Sequence, residues 1–202
     1  MFKIFGKLRG RKNIDGLTIN CPTTSMLRSK IIVNKGSGNE INIGDDSTVK
    51  GAIRIQGSGN KLEIGRSAVV AKNIVIHGSR NKITLGDNVK LSGRITIKGS
   101  DQYIIIDEGT LVCDASILCQ ENQYVRIGRN CLISDRVDIR TTDSYTLIDR
   151  ETGNRVNLPA PVEIGDHVWI GLDAVVNKGA IVADDNIIEA KSFVSQRFPE
   201  MG

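Results

Sequence analysis

Aromatic residues and long apolar runs are scarce in this 202-residue chain. Phe, Trp and Tyr make up 4% of the sequence, whereas glycine occurs 21 times. A core with few aromatic rings has to be built from Ile, Val and Leu, and frequent glycines indicate many tight turns, a combination typical of β-structure. No apolar run approaches the ~20 residues that a membrane-spanning helix needs. The length suits a single domain.

Cysteine, histidine and net charge are also limited. Cys21, Cys113, Cys119 and Cys131 form no CxxC pair, and only two histidines accompany them. The cysteines are therefore interpreted as small reduced residues of the core or of turns, no metal is expected, and a cytoplasmic location is predicted. The net charge of +4, without aromatic–basic clusters, argues against a nucleic-acid partner.

The first twelve residues, MFKIFGKLRGRK, are basic and partly apolar. They lack the uninterrupted apolar stretch of a secretory signal. Residues 1–30 are predicted to be an N-terminal cap segment that starts with a short capping helix. A weaker alternative is contact of the basic N-terminus with an anionic membrane surface.

A 21-residue repeat follows. The tetrapeptides GSGN (36–39), GSGN (57–60), GSRN (78–81), GSDQ (99–102) and QENQ (120–123) each begin 21 residues after the previous one. Three sets of apolar residues keep the same interval: Ile43, Ile64, Leu85, Ile106 and Ile127; then Val49, Val70, Leu91, Val112 and Ile133; then Ile55, Ile76, Ile97, Leu118 and Ile139. Five such copies predict a solenoid in which coils bury each other's faces.

Each repeat divides into three short strands, and each strand begins with one of these inward-facing apolar residues. A second inward position follows four residues after the first set, at Ser47, Ala68, Val89, Thr110 and Cys131. Three strands close one triangular coil. The Gly-Ser-Gly-Asn stretches are predicted to form corner bulges in which glycine and asparagine adopt positive φ, and no chemistry is assigned to them.

The repeat changes after residue 164. Ile164, Ile170, Val176, Val182, Ile188 and Val194 are spaced by six, which makes an 18-residue coil. The interval from Ile127 to Ile164 is 37 residues, or one 21-residue repeat enlarged by 16. The sequence therefore predicts a β-helix over residues 31–198 with an inserted loop at about 143–160, and a short tail at 199–202.

Two stretches resemble a known family. IGDHVWIGLDAVVNKGAIV (164–182) resembles the hexapeptide-repeat acyltransferases, and RTTDSYTLIDRETGNRVN (140–157) is similar to a loop in the branch that O-acetylates bacterial capsule and lipopolysaccharide sugars, including sialic-acid capsules. The resemblance covers residues 30–198. It implies a left-handed parallel β-helix, a homotrimer with active sites between subunits, acetyl-CoA as acyl donor in a groove between two coils, and a polysaccharide or sugar acceptor.

The resemblance also implies catalytic positions. The family's loop histidine, a general base, corresponds to Tyr145, and a phenol with an ordinary pKa near 10 is a poor base at neutral pH. Asp143 is expected either to orient residue 145 or the acceptor sugar, or to cap the loop through an Asx turn. His167 is expected either to support its corner by hydrogen bonding or to serve as a substitute base.

Cofactor-binding positions follow in the same way. By alternation with its neighbours Trp169 faces outward, and the resemblance places it beside the acetyl end of the cofactor, with packing under the loop as the alternative. The other implied positions are Leu172 and Ala190 for the pantetheine arm, Ser195 nearby, and Lys178 and Lys191 as positive charge for the phosphates.

Two functions remain open from the sequence. The first is an acetyl-CoA-dependent O-acetyltransferase of a bacterial surface polysaccharide. The second is a catalytically impaired or inactive relative that binds sugar or CoA without efficient transfer, because Tyr145 replaces the expected histidine.

Overall fold

The computed structural model describes the backbone of residues 2–4 and all of residues 10–198. These residues form 27 β-strands in three sheets and no α-helix. Sheet A consists of β1 (Phe2–Ile4), β5 (Ile31–Asn34), β8 (Ile53–Gln56), β11 (Ile74–His77), β14 (Arg94–Lys98), β17 (Ser116–Gln120), β20 (Asp138–Arg140), β23 (Val175–Val176) and β26 (Phe193–Val194).

Sheet B consists of β4 (Met26–Leu27), β7 (Thr48–Val49), β10 (Val69–Val70), β13 (Lys90–Leu91), β16 (Leu111–Val112), β19 (Leu132–Ile133), β22 (Trp169–Ile170) and β25 (Ile187–Ile188). Sheet C consists of β2 (Gly10–Ile14), β3 (Leu17–Cys21), β6 (Asn39–Ile43), β9 (Lys61–Ile64), β12 (Lys82–Leu85), β15 (Tyr103–Ile106), β18 (Tyr124–Ile127), β21 (Val162–Ile164), β24 (Ile181–Val182) and β27 (Arg197–Phe198).

Each coil passes through sheets C, B and A in turn, and strands of successive coils pair in parallel. The antiparallel strand pairs within the described residues are β1 with β5 and β2 with β3, both at the N-terminal end. The predicted all-β parallel β-helix is confirmed. None of the described residues belongs to a helix of the length and apolarity that a membrane crossing requires.

The inward positions form one apolar core that runs the length of the solenoid. In sheet C, Leu85, Ile106 and Ile127 lie in register at the predicted interval, and Ile127 then pairs with Ile164 across the inserted loop. The second inward set is also buried, at Ser47, Ala68, Val89, Thr110 and Cys131. Aliphatic side chains that stack at about 4.8 Å, the strand spacing, bury most of their surface against the coils on either side.

One predicted core residue is wrong. Leu118 was aligned with Ile97 by the 21-residue interval, but Ile97 pairs with Cys119, so Ile117 and Cys119 point inward and Leu118 is half-buried on the outside. The shift arises because the corner before β17 contains one extra residue, and a shift of one residue exchanges the two faces of a strand. Burial raises the pKa of the Cys119 thiol to about 12, as expected of a core residue.

The corner between sheets A and C differs from the prediction in its asparagines. Asn39, Asn60 and Asn81 do not adopt positive φ; their side chains are buried and form a ladder along the solenoid. Asn81 Nδ2 donates to Asn60 Oδ1 at 3.0 Å and to the Gly99 carbonyl at 2.8 Å. A buried amide is stable only when its donors and acceptors are paired, so the ladder fixes the spacing of this corner.

The glycines of the same corner behave as predicted. Gly36, Gly57, Gly78 and Gly99 have φ between 115° and 120°, a region that side chains exclude. A Cβ on Gly57 would lie 2.1 Å from the carbonyl oxygen of Gly78 in the next coil. Glycine is therefore required here both by the backbone conformation and by the close stacking of coils.

The N-terminal segment is β-structure where a capping helix was predicted. The strand Gly10–Ile14 turns back on Leu17–Cys21, and Leu17–Cys21 already pairs in parallel with Asn39–Ile43. The apolar residues of this segment therefore alternate to complete sheet C. Residues 1 and 5–9, and the predicted tail at 199–202, lie outside the described residues.

The inserted loop leaves the solenoid intact. It follows the buried residues Thr141 and Thr142, and Ala160 N donates to the Thr141 carbonyl at 3.1 Å, so the two ends of the loop are bonded to each other. An antiparallel bridge between Ile148 and Arg155 closes the loop upon itself. The loop therefore begins and ends at neighbouring points of one corner.

A matched pair of glycine substitutions tests the corner. We expect Gly57→Ala to lower the free energy of unfolding by about 3 kcal/mol or more, because strained φ and steric overlap each contribute roughly 1–3 kcal/mol. Gly153→Ala is the control: Gly153 also has positive φ (70°), but nothing lies within 4 Å of its Cβ position, so the loss should be about 1 kcal/mol. Urea unfolding measures both. Equal losses would contradict the close-stacking explanation.

Candidate active site

The inserted loop is attached to the preceding coil through Glu121 and Gln120. Thr142 Oγ1 donates to Glu121 Oε1 at 2.7 Å, and the Arg155 guanidinium forms an ion pair with the same carboxylate. Ser144 Oγ donates to Gln120 Oε1 at 3.1 Å. The Arg155 and Thr142 hydrogen bonds lower the pKa of Glu121, so this anchor is charged at neutral pH.

Asn157 is the centre of the loop. It is 8% exposed, and its Nδ2 donates to Asp143 Oδ2 at 2.9 Å and to the Tyr145 carbonyl at 2.7 Å. Its Oδ1 accepts the backbone N–H of Leu147 at 2.8 Å. One side chain thus holds residues 143, 145 and 147 in place. Asn157 ends the Arg-Val-Asn stretch that carried part of the family resemblance, but the sequence alone assigned it no role.

Asp143 contacts Lys178 of the following coil. Lys178 Nζ lies 2.5 Å from Asp143 Oδ2, and the lysine side chain is 18% exposed. Lys178, followed by Asn157, lowers the pKa of the Asp143 carboxyl. The capping role considered for Asp143 belongs instead to Asp149, whose Oδ1 accepts the backbone N–H groups of Glu151 and Thr152.

Tyr145 stands at the tip of this arrangement. Its side chain is 78% exposed, and among residues 10–198 its hydroxyl has no hydrogen-bond partner within the same chain. The backbone of Tyr145 is therefore fixed by Asn157 while the phenol projects into solvent. A group presented in this way is available to another molecule or to another subunit.

Trp169 faces outward on sheet B, as predicted. It is 47% exposed, and its Nε1 donates to Ser134 Oγ at 3.1 Å. Leu132 and Ile187 flank it in register on the neighbouring strands. With Leu111 they form an outward apolar stripe, 36–53% exposed, which is named the sheet B stripe below.

His167 lies at the corner from sheet C to sheet B, two residues before Trp169. Its Nδ1 is 3.3 Å from Asp185 Oδ1 in the next coil, and its side chain is 57% exposed. The imidazole and the Asp185 carboxylate are therefore in contact across the corner. A carboxylate at Nδ1 also favours the tautomer in which Nε2 is free to accept a proton. The sequence analysis did not single out Asp185, because it follows His167 by 18 residues and comes into contact with it only when successive coils stack.

Within residues 10–198, no group of three His, Cys, Asp or Glu side chains is arranged to hold a metal ion.

No family model and no curated protein matches the sequence. Eighteen chains of solved structures match the fold, and two of them are polysialic acid acetyltransferases. The polysialic acid O-acetyltransferase OatWY is 25% identical, with a TM-score of 0.76 over 84% of this chain and 81% of OatWY. The polySia-specific acetyltransferase NeuO is 21% identical, with a TM-score of 0.62 over 85% of this chain and 74% of NeuO.

The chain has the β-solenoid fold of the polysialic acid O-acetyltransferases. The resemblance to hexapeptide-repeat acyltransferases is thereby confirmed, and both solved relatives belong to the predicted enzyme class. The positions implied for catalysis and cofactor binding can now be located on this O-acetyltransferase fold.

The implied cofactor positions fall into two groups. Leu172, Ala190 and Lys191 lie together at the corner from sheet B to sheet A, where Lys191 N donates to the Leu172 carbonyl at 2.8 Å. They adjoin Trp169 at the other end of the short strand β22. Lys178 and Ser195 lie at the corner from sheet A to sheet C, after β23 and β26 respectively.

The loop and the Trp169 surface lie on opposite sides of one solenoid. The loop leaves at the corner of sheets A and C, which in a triangular coil faces away from sheet B, where Trp169 lies. Of the predicted catalytic residues, Asp143 and Tyr145 are therefore together, whereas His167 is beside Trp169. The O-acetyltransferase fold does not bring the two groups together within a single chain.

Removal of the Asn157 side chain should loosen the loop without unfolding the solenoid. We expect Asn157→Ala to increase the rate of tryptic cleavage after Arg150 at least several-fold, because three hydrogen bonds that hold residues 143–147 are lost. The control is Asn154→Ala, which removes an exposed side chain from the same loop. Equal cleavage of the two variants would refute the central role of Asn157.

Proposed function

We propose that this chain is an acetyl-CoA-dependent O-acetyltransferase that acts on a bacterial surface polysaccharide, of capsule or lipopolysaccharide. The observation that carries the proposal is the shared solenoid, which matches OatWY over 84% of this chain at 25% identity. The inserted loop, in which Asn157 donates to both the Asp143 carboxylate and the Tyr145 carbonyl, supports it further. A cytoplasmic location stays a prediction.

We further propose a homotrimer whose active sites lie between subunits. The sheet B stripe supports this arrangement, since a contiguous outward apolar surface favours association. The separation of loop and Trp169 in one chain supports it as well. A cyclic trimer allows the loop of one subunit to approach sheet B of its neighbour, so that Tyr145 and Asp143 face the partner's copy of the Trp169 surface.

The residues present suit an acyl-CoA donor. Trp169 and Leu172 offer an exposed apolar wall, and Lys191 is an exposed cation without an ion-pair partner in the described part of the chain. Acetyl-CoA, when bound, supplies the acetyl group as a thioester. Lys178, in contrast, forms an ion pair with Asp143. We therefore propose that Lys178 holds the loop in place and does not bind the CoA phosphates.

His167 is the residue we propose as general base. The Asp185 carboxylate lies 3.3 Å from its Nδ1 and would favour the tautomer protonated there, so Nε2 would take the proton of the acceptor hydroxyl as the sugar oxygen bonds to the acyl carbon. His167 would return this proton to the departing sulfur as the C–S bond breaks, which balances the reaction. Tyr145, which projects from the neighbouring subunit, would then contact the acceptor sugar.

The alternative is an impaired relative that binds sugar or CoA without efficient transfer. The exposed, unpartnered hydroxyl of Tyr145 favours it, because no neighbouring group activates this phenol within the described chain. Under this alternative the scaffold and the loop are retained while the base is missing. The two candidates make opposite predictions for His167.

Substitution of His167 distinguishes the active O-acetyltransferase from the impaired relative. We expect His167→Gln to reduce the rate of CoA release with acetyl-CoA and polysialic acid by roughly 10²–10⁴, the usual contribution of a positioned base. Tyr145→Phe, the control, should change the rate only a few-fold. If the wild-type protein releases no CoA above background while Tyr145→His does, the impaired relative is correct and His167 is not a base.

Mixed trimers test the site between subunits. Trp169→Ala and a variant with glycine at every position from 143 to 147 should each be nearly inactive. In trimers assembled from equal amounts of both, about one quarter of the sites combine an intact loop with an intact tryptophan surface, so about one quarter of the wild-type rate should return. A site built within one subunit would instead give background activity in the mixture.

A further inference from the structure

The outward face of sheet A is cationic in the N-terminal half of the solenoid. The five sheet A strands β5, β8, β11, β14 and β17 contain no Asp or Glu, and their outward side chains include Arg54, Arg94 and Lys98, all exposed. His77, which lies in register with Lys98, is exposed on the same face. Sheet B presents its apolar stripe instead, and sheet C carries acids and bases together. The three sides of the solenoid therefore differ in charge.

Three cations in this half of sheet A have no ion-pair partner within the described residues. On sheet C, Lys61 and Lys82 both pair with Glu63, at 2.7 and 2.9 Å. Arg54, Arg94 and Lys98, which are named the basic patch below, have no carboxylate within ion-pair distance among residues 10–198. Their charge is therefore left for a ligand or for solvent ions.

The basic patch has a fixed geometry. Arg54 is in register with Thr96, two strands away, and Arg94 and Lys98 flank Thr96 by two residues on each side. At about 4.8 Å between strands and 3.3 Å per residue, the three Cα atoms form a triangle with sides of roughly 12–13 Å. Because the backbone of a stacked sheet is rigid, this spacing needs no ordering when a ligand binds.

The patch continues toward the inserted loop. Arg94 borders a groove of about 260 Å³ together with Lys72 and Arg136. The groove is also lined by the carboxylates Asp114 and Asp138, which pair with Lys72 and Arg140. Arg136 pairs with Asp173, so Arg94 is the cation of this groove without an ion-pair partner in the described residues. Gln120, in register with Lys98, accepts the hydrogen bond from Ser144 of the loop. One continuous face thus joins the basic patch to the loop base.

We propose that the basic patch binds an anionic, carboxylate-bearing polysaccharide chain along sheet A and directs it to the loop. The proposal rests on the O-acetyltransferase function proposed above and deepens it by naming the acceptor as a polymer rather than a free sugar. The occupant follows from charge complementarity: unpaired cations at fixed intervals match a chain that repeats its negative charge. Polysialic acid, the polymer named for both solved relatives, has this chemistry.

A nucleic acid fits this face less well. Single-stranded nucleic acids bind through aromatic side chains on which bases stack, in addition to cations. The strands of sheet A between β5 and β17 carry no Phe, Trp or Tyr. The exposed tyrosine Tyr103 lies on sheet C, stacked on Tyr124 with ring centroids 4.7 Å apart. A carbohydrate polyanion is therefore the occupant that the face favours.

A triple variant tests the patch. Binding of fluorescently labelled polysialic acid is measured for the full chain by fluorescence anisotropy. We expect Arg54→Gln/Arg94→Gln/Lys98→Gln to weaken binding by about 3- to 100-fold, the range for three exposed charge contacts. The matched control is Arg11→Gln/Lys12→Gln/Lys90→Gln, which removes three exposed cations from sheets C and B and should change binding less than about twofold.

Activity with a monomeric acceptor distinguishes the two proposals. With free sialic acid the triple variant should retain the wild-type rate, whereas with the polymer its KM should rise and its kcat stay unchanged. Equal polymer binding by the triple variant and the control would overturn the proposal that the basic patch binds the polymer. Tighter, patch-dependent binding of single-stranded DNA of equal charge would also overturn it. If the polymer binds through the basic patch but no acetyl group is transferred, the proposed O-acetyltransferase function is refuted and the proposed binding surface is supported.

Discussion

Parallel stacking of each coil on the next is the constraint on which the rest of this structure depends. Apart from the antiparallel β1 and β2, each described strand pairs in parallel with its counterpart one coil away, and the inward aliphatic residues repeat along the same axis. The stacking leaves no room at Gly57, and it buries the Asn39–Asn60–Asn81 ladder at the same corner. Corners, outward faces and the loop anchor all take their positions from this register. The stability of the solenoid is therefore a sum of interfaces between neighbouring coils.

Much of the fold was predictable because this register leaves a periodic trace in the sequence. Inward positions such as Ile64 and Ile127, the glycine corners and the size of the insertion were all read from intervals. Ile64 and Ile127 nevertheless end their strands, whereas the sequence analysis predicted that they begin them. Where the interval breaks by one residue, before β17, the prediction failed at Leu118. The asparagine ladder was missed for another reason: turn propensity alone explains asparagine at a corner, and its side-chain partners lie in other coils. The N-terminal helix was wrong because local charge and apolarity did not reveal the pairing of Leu17–Cys21 with sheet C.

The candidate site was less predictable, since the loop has no period. The sequence singled out Asp143, Tyr145, His167 and Trp169, but their partners are set by three-dimensional contacts. Lys178 looked like a free cation and is bound to Asp143 instead. Asn157 looked like part of a motif and is the centre of the loop. The order of the three sheets was needed to show that the inserted loop and Trp169 lie on opposite sides of the solenoid.

Because each coil contributes one strand to each sheet, positions along one face of the solenoid are spaced at fixed intervals. Any two features on one face are separated along the axis by a whole number of strand spacings, each about 4.8 Å. Four such steps separate Arg54 from Arg140, at the start of the inserted loop, along a single rank of sheet A. Duplication or loss of a 21-residue unit between them would lengthen or shorten this distance by one strand spacing and leave both ends chemically unchanged. Reach along a polymer and chemistry at its end can therefore vary independently in a protein built this way.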